Sequence, residues 1–286
     1  MTKSKIGGAK TRAAEVVKIA IMIIMFVLFM VPFVLVLINS FKTKRDIILS
    51  PFSVTPQRGL TVDNYTSAFH KMNFLQAFGN SLFITTLATI AVILLSAMLS
   101  YYIVRAKNVT SKVMYSVMIA SMIIPFQAIM IPLVAIYGAQ LNLLNHRLTL
   151  IFLHTGFAMS MSVFMYSGFM KSNVPMSLEE AAELDGCTRT QTFFQVVLPL
   201  LKPTTATLII LNALAFWNDY LLPSLVLGKK ELFTLPLSTY AFYGTYSADY
   251  GNIMAALVLT VAPILVLYLF LQKQIISGVV AGAVKS

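Results

Sequence analysis

Residues 179 to 203 read EEAAELDGCTRTQTFFQVVLPLLKP. Glu179, Glu180, Glu183 and Asp185 crowd four acids into seven positions, in a chain with only 10 acidic residues. Just upstream, Ser177-Leu178-Glu179-Glu180 fits a capping box, in which a hydroxyl N-cap and an acid three residues on satisfy each other's backbone donors. Pro175 keeps the preceding chain extended. Gly186 suits the left-handed position that closes a helix. A two-turn helix is therefore predicted over 178–185. Thr188-Arg189-Thr190-Gln191 fits a second capping box, which predicts a second short helix over 189–197 that stops before Pro199. The result is a helix–glycine–helix elbow.

On the first of these helices Leu178, Ala181, Ala182 and Asp185 share one face, and Glu179 and Glu183 another. A helix this short is not stable alone in water, so it must dock. Its alanines permit close approach, and its acids suit a basic rim. The competing reading is a connector lying on lipid. Such helices carry Lys and Arg on the polar face. This one carries acids, which favours a protein as the docking partner.

The elbow separates strongly apolar runs. The 286 residues are 58% hydrophobic and 11% charged, against about 25% charged in ordinary soluble domains. Six runs are long enough to cross a bilayer core as helices: 19–40, 80–103, 113–137, 148–170, 203–227 and 252–272. The fold class expected is an all-α integral membrane protein of six transmembrane helices, with the elbow (175–199) as a cytoplasmic loop. Residues 1–18 form a basic N-terminus and 273–286 a C-terminal tail. The first run is too long for a signal peptide, and no small-residue cleavage pattern follows it. Six spans put both termini on one side. That side carries 13 of the 21 Lys and Arg, the other side 8. By the positive-inside rule it is cytoplasmic, although Lys42, Lys44 and Arg45 crowd the outer end of the first span. The outer segment 41–79 holds LTVDNYTSAFHKMNFLQAFGNS, whose loose helical spacing predicts packing, or a position at the membrane surface.

The net charge of +11 does not indicate nucleic acid. Lys and Arg sit in the connections and not in the apolar runs, as expected beside anionic lipid. A single cysteine, Cys187, excludes an internal disulfide and a cysteine metal site. His70, His146 and His154 fall in no ligand spacing and read as structural. No metal, cofactor or catalytic set is expected.

Within the spans the one acid is Asp219. Thr205, Asn212 and Asp219 recur every seven residues, about two helical turns, and form a polar stripe flanked by Trp217, Asn218 and Tyr220. Carboxylates accept hydroxyl bonds and indoles stack on sugar faces, so one reading is a translocation path. The other is hydrogen-bonded contact between helices. Trp217 reads equally as an interfacial belt residue. Pro125 and Pro132 free backbone carbonyls in the third run and permit a bend. Gln127 between them either lines a path or packs. Gly156, Ser160 and Ser162 in the fourth run read as close helix contact.

Glu180-Ala181-Ala182, Gly186, then Val196, Leu198 and Pro199 resemble the EAA loop of permeases in bacterial ATP-binding-cassette importers. Val196 stands where that family usually has Ile. NSFKTKRDI at 39–47, Asp63-Asn64-Tyr65, Phe78-Gly79-Asn80-Ser81, FWNDYLLP at 216–223 and ISGVVAGAVKS at 276–286 resemble the carbohydrate importers. The likeness is to the second, smaller permease of maltose and multiple-sugar systems, from about residue 20 to the end. It implies a second homologous permease, two cytoplasmic ATPase subunits, an extracytoplasmic sugar-binding protein and a place in the bacterial cytoplasmic membrane. It also implies that Glu179, Glu180, Ala181, Ala182, Glu183, Asp185, Gly186, Leu198 and Pro199 form the coupling loop. Glu180 would pair with a basic residue of the ATPase groove, and Gly278, Gly282 and Lys285 of the tail are weaker ATPase contacts.

No Walker A loop is present. Gly278 to Ser286 lacks the adjacent Gly-Lys-Ser/Thr and a following helix, so ATP hydrolysis is expected in partner subunits. A permease for a non-sugar solute fits the same features. An ion-driven transporter fits less well, with one acid in the spans and no inverted repeat.

Overall fold

The computed structural model describes the backbone of residues 9–242 and 249–283, and the side chains of these except 9–13, 241, 267 and 270–283. Every regular element among the described residues is helical. The chain divides into two compact units: residues 1–71 with 241–259, and 72–240 with 260–286.

The first unit contains α1 (Ala9–Ser40), α2 (Lys44–Leu49) and α3 (Asp63–Lys71). From Ala14 onward α1 is apolar and solvent-exposed along almost its whole length. A helix that is apolar all round has no polar face to give to water and needs lipid or another protein around it. Beyond it the chain folds into a hydrogen-bonded loop. Asn64 Nδ2 donates to the carbonyls of Ser40 and Lys42, each at 2.8 Å. Ser40 Oγ lies 2.6 Å from the Tyr65 hydroxyl. Lys42 is fully buried, with its ammonium on the carbonyls of Ser50 and Pro51 at 3.0 and 3.2 Å. Burial lowers the pKa of that ammonium from its ordinary value, against the opposing pull of the Asp46 carboxylate. Gly251 abuts Asn64 so closely that a Cβ there would lie 2.5 Å from the Asn64 amide oxygen. Lys42 is thus a structural cation of a packed loop, and Lys44 lies over the Tyr250 ring at 6.0 Å.

The second unit is built on α4 (Phe74–Ala106), which packs along α7 (Arg147–Asn173), with α5 (Val109–Ser121) and α11 (Lys202–Asn218) beside it. The buried positions of α4 recur at Ala77, Ser81, Thr85, Ala88, Val92, Ser96 and Ser100. This i, i+3/i+4 row of mostly small residues gives α7 a groove. Ser100 Oγ crosses it to the Val163 carbonyl at 3.2 Å. Leu208, Tyr166, Met170, Val197 and Leu201 close the core around it.

Two expected spans are broken. The run 113–137 is α5 followed by α6 (Phe126–Val134) and a π-helical segment Ala135–Gln140, bent by 99°. The bend falls where Pro125 caps α6, whereas Pro132 sits inside α6. The run 203–227 is α11 alone as far as Asn218. Asp219 then ends the helix, because its Oδ1 accepts from the backbone N–H of Leu221 at 2.9 Å and opens α12 (Leu221–Val226). Among the described residues three helices are long and apolar enough to cross a membrane unbroken, and up to five spans result if each of two bent pairs, Val109–Ser121 with Phe126–Gln140 and Arg189–Leu200 with Lys202–Asn218, is one span. A shorter apolar helix, Tyr250–Val266, is the first part of the last helix.

The elbow consists of α8 (Met176–Leu184), α9 (Arg189–Thr192), a π turn Phe193–Val197 and α10 (Leu198–Leu200). After α12 come α13 (Leu235–Ser238) and α14 (Tyr250–Ala283). Of the expected tail 273–286, residues 273–283 continue α14 as helix, and 284–286 lie outside the described residues.

Candidate functional site

Three features shape the elbow. Pro175, not Ser177, is the N-cap of α8, and no side chain caps it. Proline's fixed φ starts the helix earlier than the capping box predicted. At the other end Gly186 has φ +86°. Its N–H bonds the Glu183 carbonyl at 3.0 Å, and the Cys187 N–H bonds Ala182 at 2.9 Å. This is a Schellman closure, in which the left-handed residue satisfies two helix-end carbonyls. Thr188 then caps α9 with the reciprocal Gln191 box predicted from sequence. The second helix does not stop before Pro199. Leu198 N–H reaches back five residues to the Phe193 carbonyl, and this wider turn carries the chain past the hydrogen bond that proline cannot donate.

The two adjacent glutamates of α8 part company. Glu180, Ala181, Glu183 and Asp185 are exposed, as is Leu184 at 89%. Glu179 is 2% exposed. Its Oε1 accepts from Arg105 Nε at 2.7 Å, with Nη2 at 2.5 Å, and its Oε2 accepts from the Tyr101 hydroxyl at 2.9 Å. Arg105 also donates to the Val174 carbonyl at 2.9 Å. Ala182 is buried beside Glu179, Leu198 is half-buried against the core, and Pro199 is exposed. The elbow therefore has an inner face of Glu179 and Ala182 and an outer face of Glu180, Ala181, Glu183 and Leu184. Arg105 and Tyr101 carried no sequence signal for this role. Arg105 counted only as a charge beyond the second apolar run.

A cleft of about 1190 Å³ opens among α5, α6, α7, α11 and α12. Its walls are mainly apolar, with Phe126, Tyr137, Phe152 and Phe157, and its polar members are Ser121, His154, Ser160, Asn212, Asn218 and Asp219. The predicted stripe is divided. Thr205 is paired with the Tyr166 hydroxyl at 2.8 Å. Asn212 is buried, lines the cleft, and bonds the Leu208 carbonyl at 2.8 Å and Ser162 Oγ at 3.4 Å. Asn218 donates to Leu214. Trp217 is 4% exposed, with its Nε1–H toward the Thr260 carbonyl at 3.4 Å and its ring edge-on to Phe78. Gln127 and Tyr220 are exposed and lie outside the lining of the cleft. Gly156 lines the cleft, where a Cβ would meet open space, and Ser160 bonds Ser121 at 2.6 Å.

Asp219 faces a residue that the sequence reading set aside. His154 is buried, lies tilted against the Phe216 ring with centroids 4.6 Å apart, and holds Nδ1 3.9 Å from Asp219 Oδ2, too long for a hydrogen bond. Its Nε2 has no protein partner. His154 is on α7 and Asp219 lies between α11 and α12, so no spacing in the chain could pair them. Among the described residues there is no cluster of three or more potential metal ligands. Gly278 and Gly282 lie in the helical backbone of α14, and Lys285 lies outside the described residues.

Residues 93–280 match the family model described as "Binding-protein-dependent transport system inner membrane component". The chain is 39% identical over 263 residues to a Thermoanaerobacterium thermosulfurigenes protein named "Probable starch degradation products transport system permease protein AmyC", covering 92% of this chain and 94% of that one. It is 38% identical over 262 residues to the multiple sugar-binding transport system permease protein MsmG of Streptococcus mutans, covering 91% and 93%. Among solved structures, a chain of a bacterial ABC transporter involved in the import of the acidic polysaccharide alginate superposes with a TM-score of 0.81 over 94% of this chain and 99% of that one. Its 18% identity carries the fold alone.

Proposed function

Because the chain belongs to the family of inner membrane components of binding-protein-dependent transport systems, we propose that it is one of two homologous permeases of an ATP-driven sugar importer. The observation that carries the reading is the two-faced elbow, whose inner face is fastened to α4 while its outer face presents Glu180, Ala181, Glu183 and Leu184. The outer face suits a groove with a basic rim on a cytoplasmic ATPase subunit. α1, α4, the bent pair α5–α6, α7, α11 and α14 are the six crossings, and both termini are cytoplasmic. The apolar circumference of α1 is surrounded by lipid and the second permease. An extracytoplasmic binding protein delivers the solute. ATP hydrolysis belongs to the partner subunits. The names of the relatives in Thermoanaerobacterium and Streptococcus support a sugar, and we take it to be an oligosaccharide.

In the reconstituted complex Glu180→Lys is expected to insert normally and to lower solute-stimulated ATP hydrolysis about tenfold or more, in the range of ordinary coupling energies. Wild-type transport by this variant overturns the role given to the carboxylate. A panel of mono- and oligosaccharides against ATPase activity tests the substrate class. Stimulation by a peptide or amino acid, and by no sugar, removes it.

A further inference from the structure

The pairing of Glu179 with Arg105 has a mechanical consequence. We infer that Arg105 and Glu179 are a positioning pair that locks α8 to the end of α4, so that a push on the elbow is delivered first to α4 rather than along the chain into α7 and α11. The inference rests on the coupling reading above and assigns Glu179 to transmission instead of ATPase contact.

The geometry points to a lock rather than a loose ion pair. Glu179 is buried, and both of its oxygens are engaged, one by the Arg105 guanidinium and one by the Tyr101 hydroxyl. Arg105 spends a second donor on the Val174 carbonyl, which lies between α7 and α8. A planar guanidinium with two partners fixes direction as well as distance. The Tyr101 ring packs on Phe193 at 5.2 Å, so the second arm of the elbow rests on the same turn of α4. Both arms are thus held by residues 101 to 105. From there α4 runs the length of the unit against α7 and α11, through the small-residue groove. In contrast, α8 joins the spans on either side through non-helical or interrupted chain. Val174 and Pro175 are extended between α7 and α8. Gly186, the π turn and a 75° bend intervene before α11. Displacement follows the stiffer connection, and that connection is the Arg105–Glu179 contact.

The test uses the full complex of both permeases, the ATPases and the binding protein in liposomes, with uptake and hydrolysis measured per assembled complex. Arg105→Gln and Glu179→Gln are expected to raise the ATP hydrolysed per solute imported by about tenfold, the scale of a typical coupling term. The reversed pair Arg105→Glu with Glu179→Arg is expected to recover most of that ratio. A merely structural role lowers uptake and hydrolysis together and leaves the ratio unchanged, which overturns the inference. If the single variants fail to assemble, spin labels at Ser177→Cys and Lys107→Cys in a Cys187→Ser background decide it with the native pair intact. The distance between them is expected to stay the same in the nucleotide-free and ATP-bound states, and a change between those states overturns the lock. Absence of solute-stimulated hydrolysis in the wild-type complex instead removes the importer reading, and the label distance still reports on the lock by itself.

Discussion

Two acids of the second unit lie beside a basic side chain, and the two arrangements are opposite. Glu179 and Arg105 meet at 2.7 Å, with Tyr101 and the Val174 carbonyl completing their hydrogen bonds. Asp219 and His154 stand 3.9 Å apart beside a cleft, with the imidazole Nε2 unpartnered. A buried ion pair with every partner satisfied holds elements in one arrangement, whereas a buried polar atom left open costs stability and is retained where something else uses it. The elbow pair is fastening. The cleft neighbours make no bond to each other and leave the imidazole Nε2 without a protein partner.

The comparison is easiest to break at the fastening. Glu179→Ala strands the Arg105 guanidinium against a buried face and is expected to destabilise the unit by about 3–5 kcal/mol, the usual cost of removing one member of a buried pair. Thermal unfolding of the purified complex measures it, and a loss below about 1 kcal/mol, the range of a surface pair, shows that Glu179 is not buried in the assembly. Next is the hinge beside it. A Cβ at Gly186 meets open space, so the cost of Gly186→Val is backbone strain alone, about 1–3 kcal/mol for a branched residue held at positive φ. Gly186→Asn, which tolerates that region, is expected to be clearly milder. Equal stability losses for Val and Asn show that contact, not conformation, selects the glycine. The smallest effect on folding is expected in the cleft. Asp219→Asn keeps an oxygen for the Leu221 and Leu222 N–H groups, so stability is expected to change by no more than about 0.5 kcal/mol, as for most sites without a buried network. Solute uptake then falls without loss of assembled complex. A large loss of stability with unchanged uptake makes Asp219 a cap and nothing more.

The cap chemistry of the elbow was legible because it is local. Thr188 and Gln191 are three residues apart, and Gly186 must be left-handed wherever a helix closes on it, so both could be read from spacing. Ser177 misled because proline two residues earlier starts a helix by itself, which leaves the serine inside the first turn. The direction in which each acid points was not legible. Glu179 and Glu180 are neighbours with the same side chain, and only the packing of α8 against α4 turns one inward. The Thr205–Asn212–Asp219 stripe was drawn on an unbroken helix. Asp219 ends that helix by accepting two backbone donors, so it does not continue the row.

By itself the sequence determined the helical, membrane-embedded class, the apolar runs and the capped, glycine-hinged elbow, because hydrophobic length and cap chemistry act over a few residues. Only the tertiary structure decided that Lys42 is spent inside a loop, that Trp217 is packed away from the cleft, that His154 faces Asp219 and that Glu179 belongs to Arg105. Those outcomes depend on which side chains meet across helices that lie far apart in the chain. The free energy of burying a charge or an indole is set by that meeting and not by its neighbours in sequence.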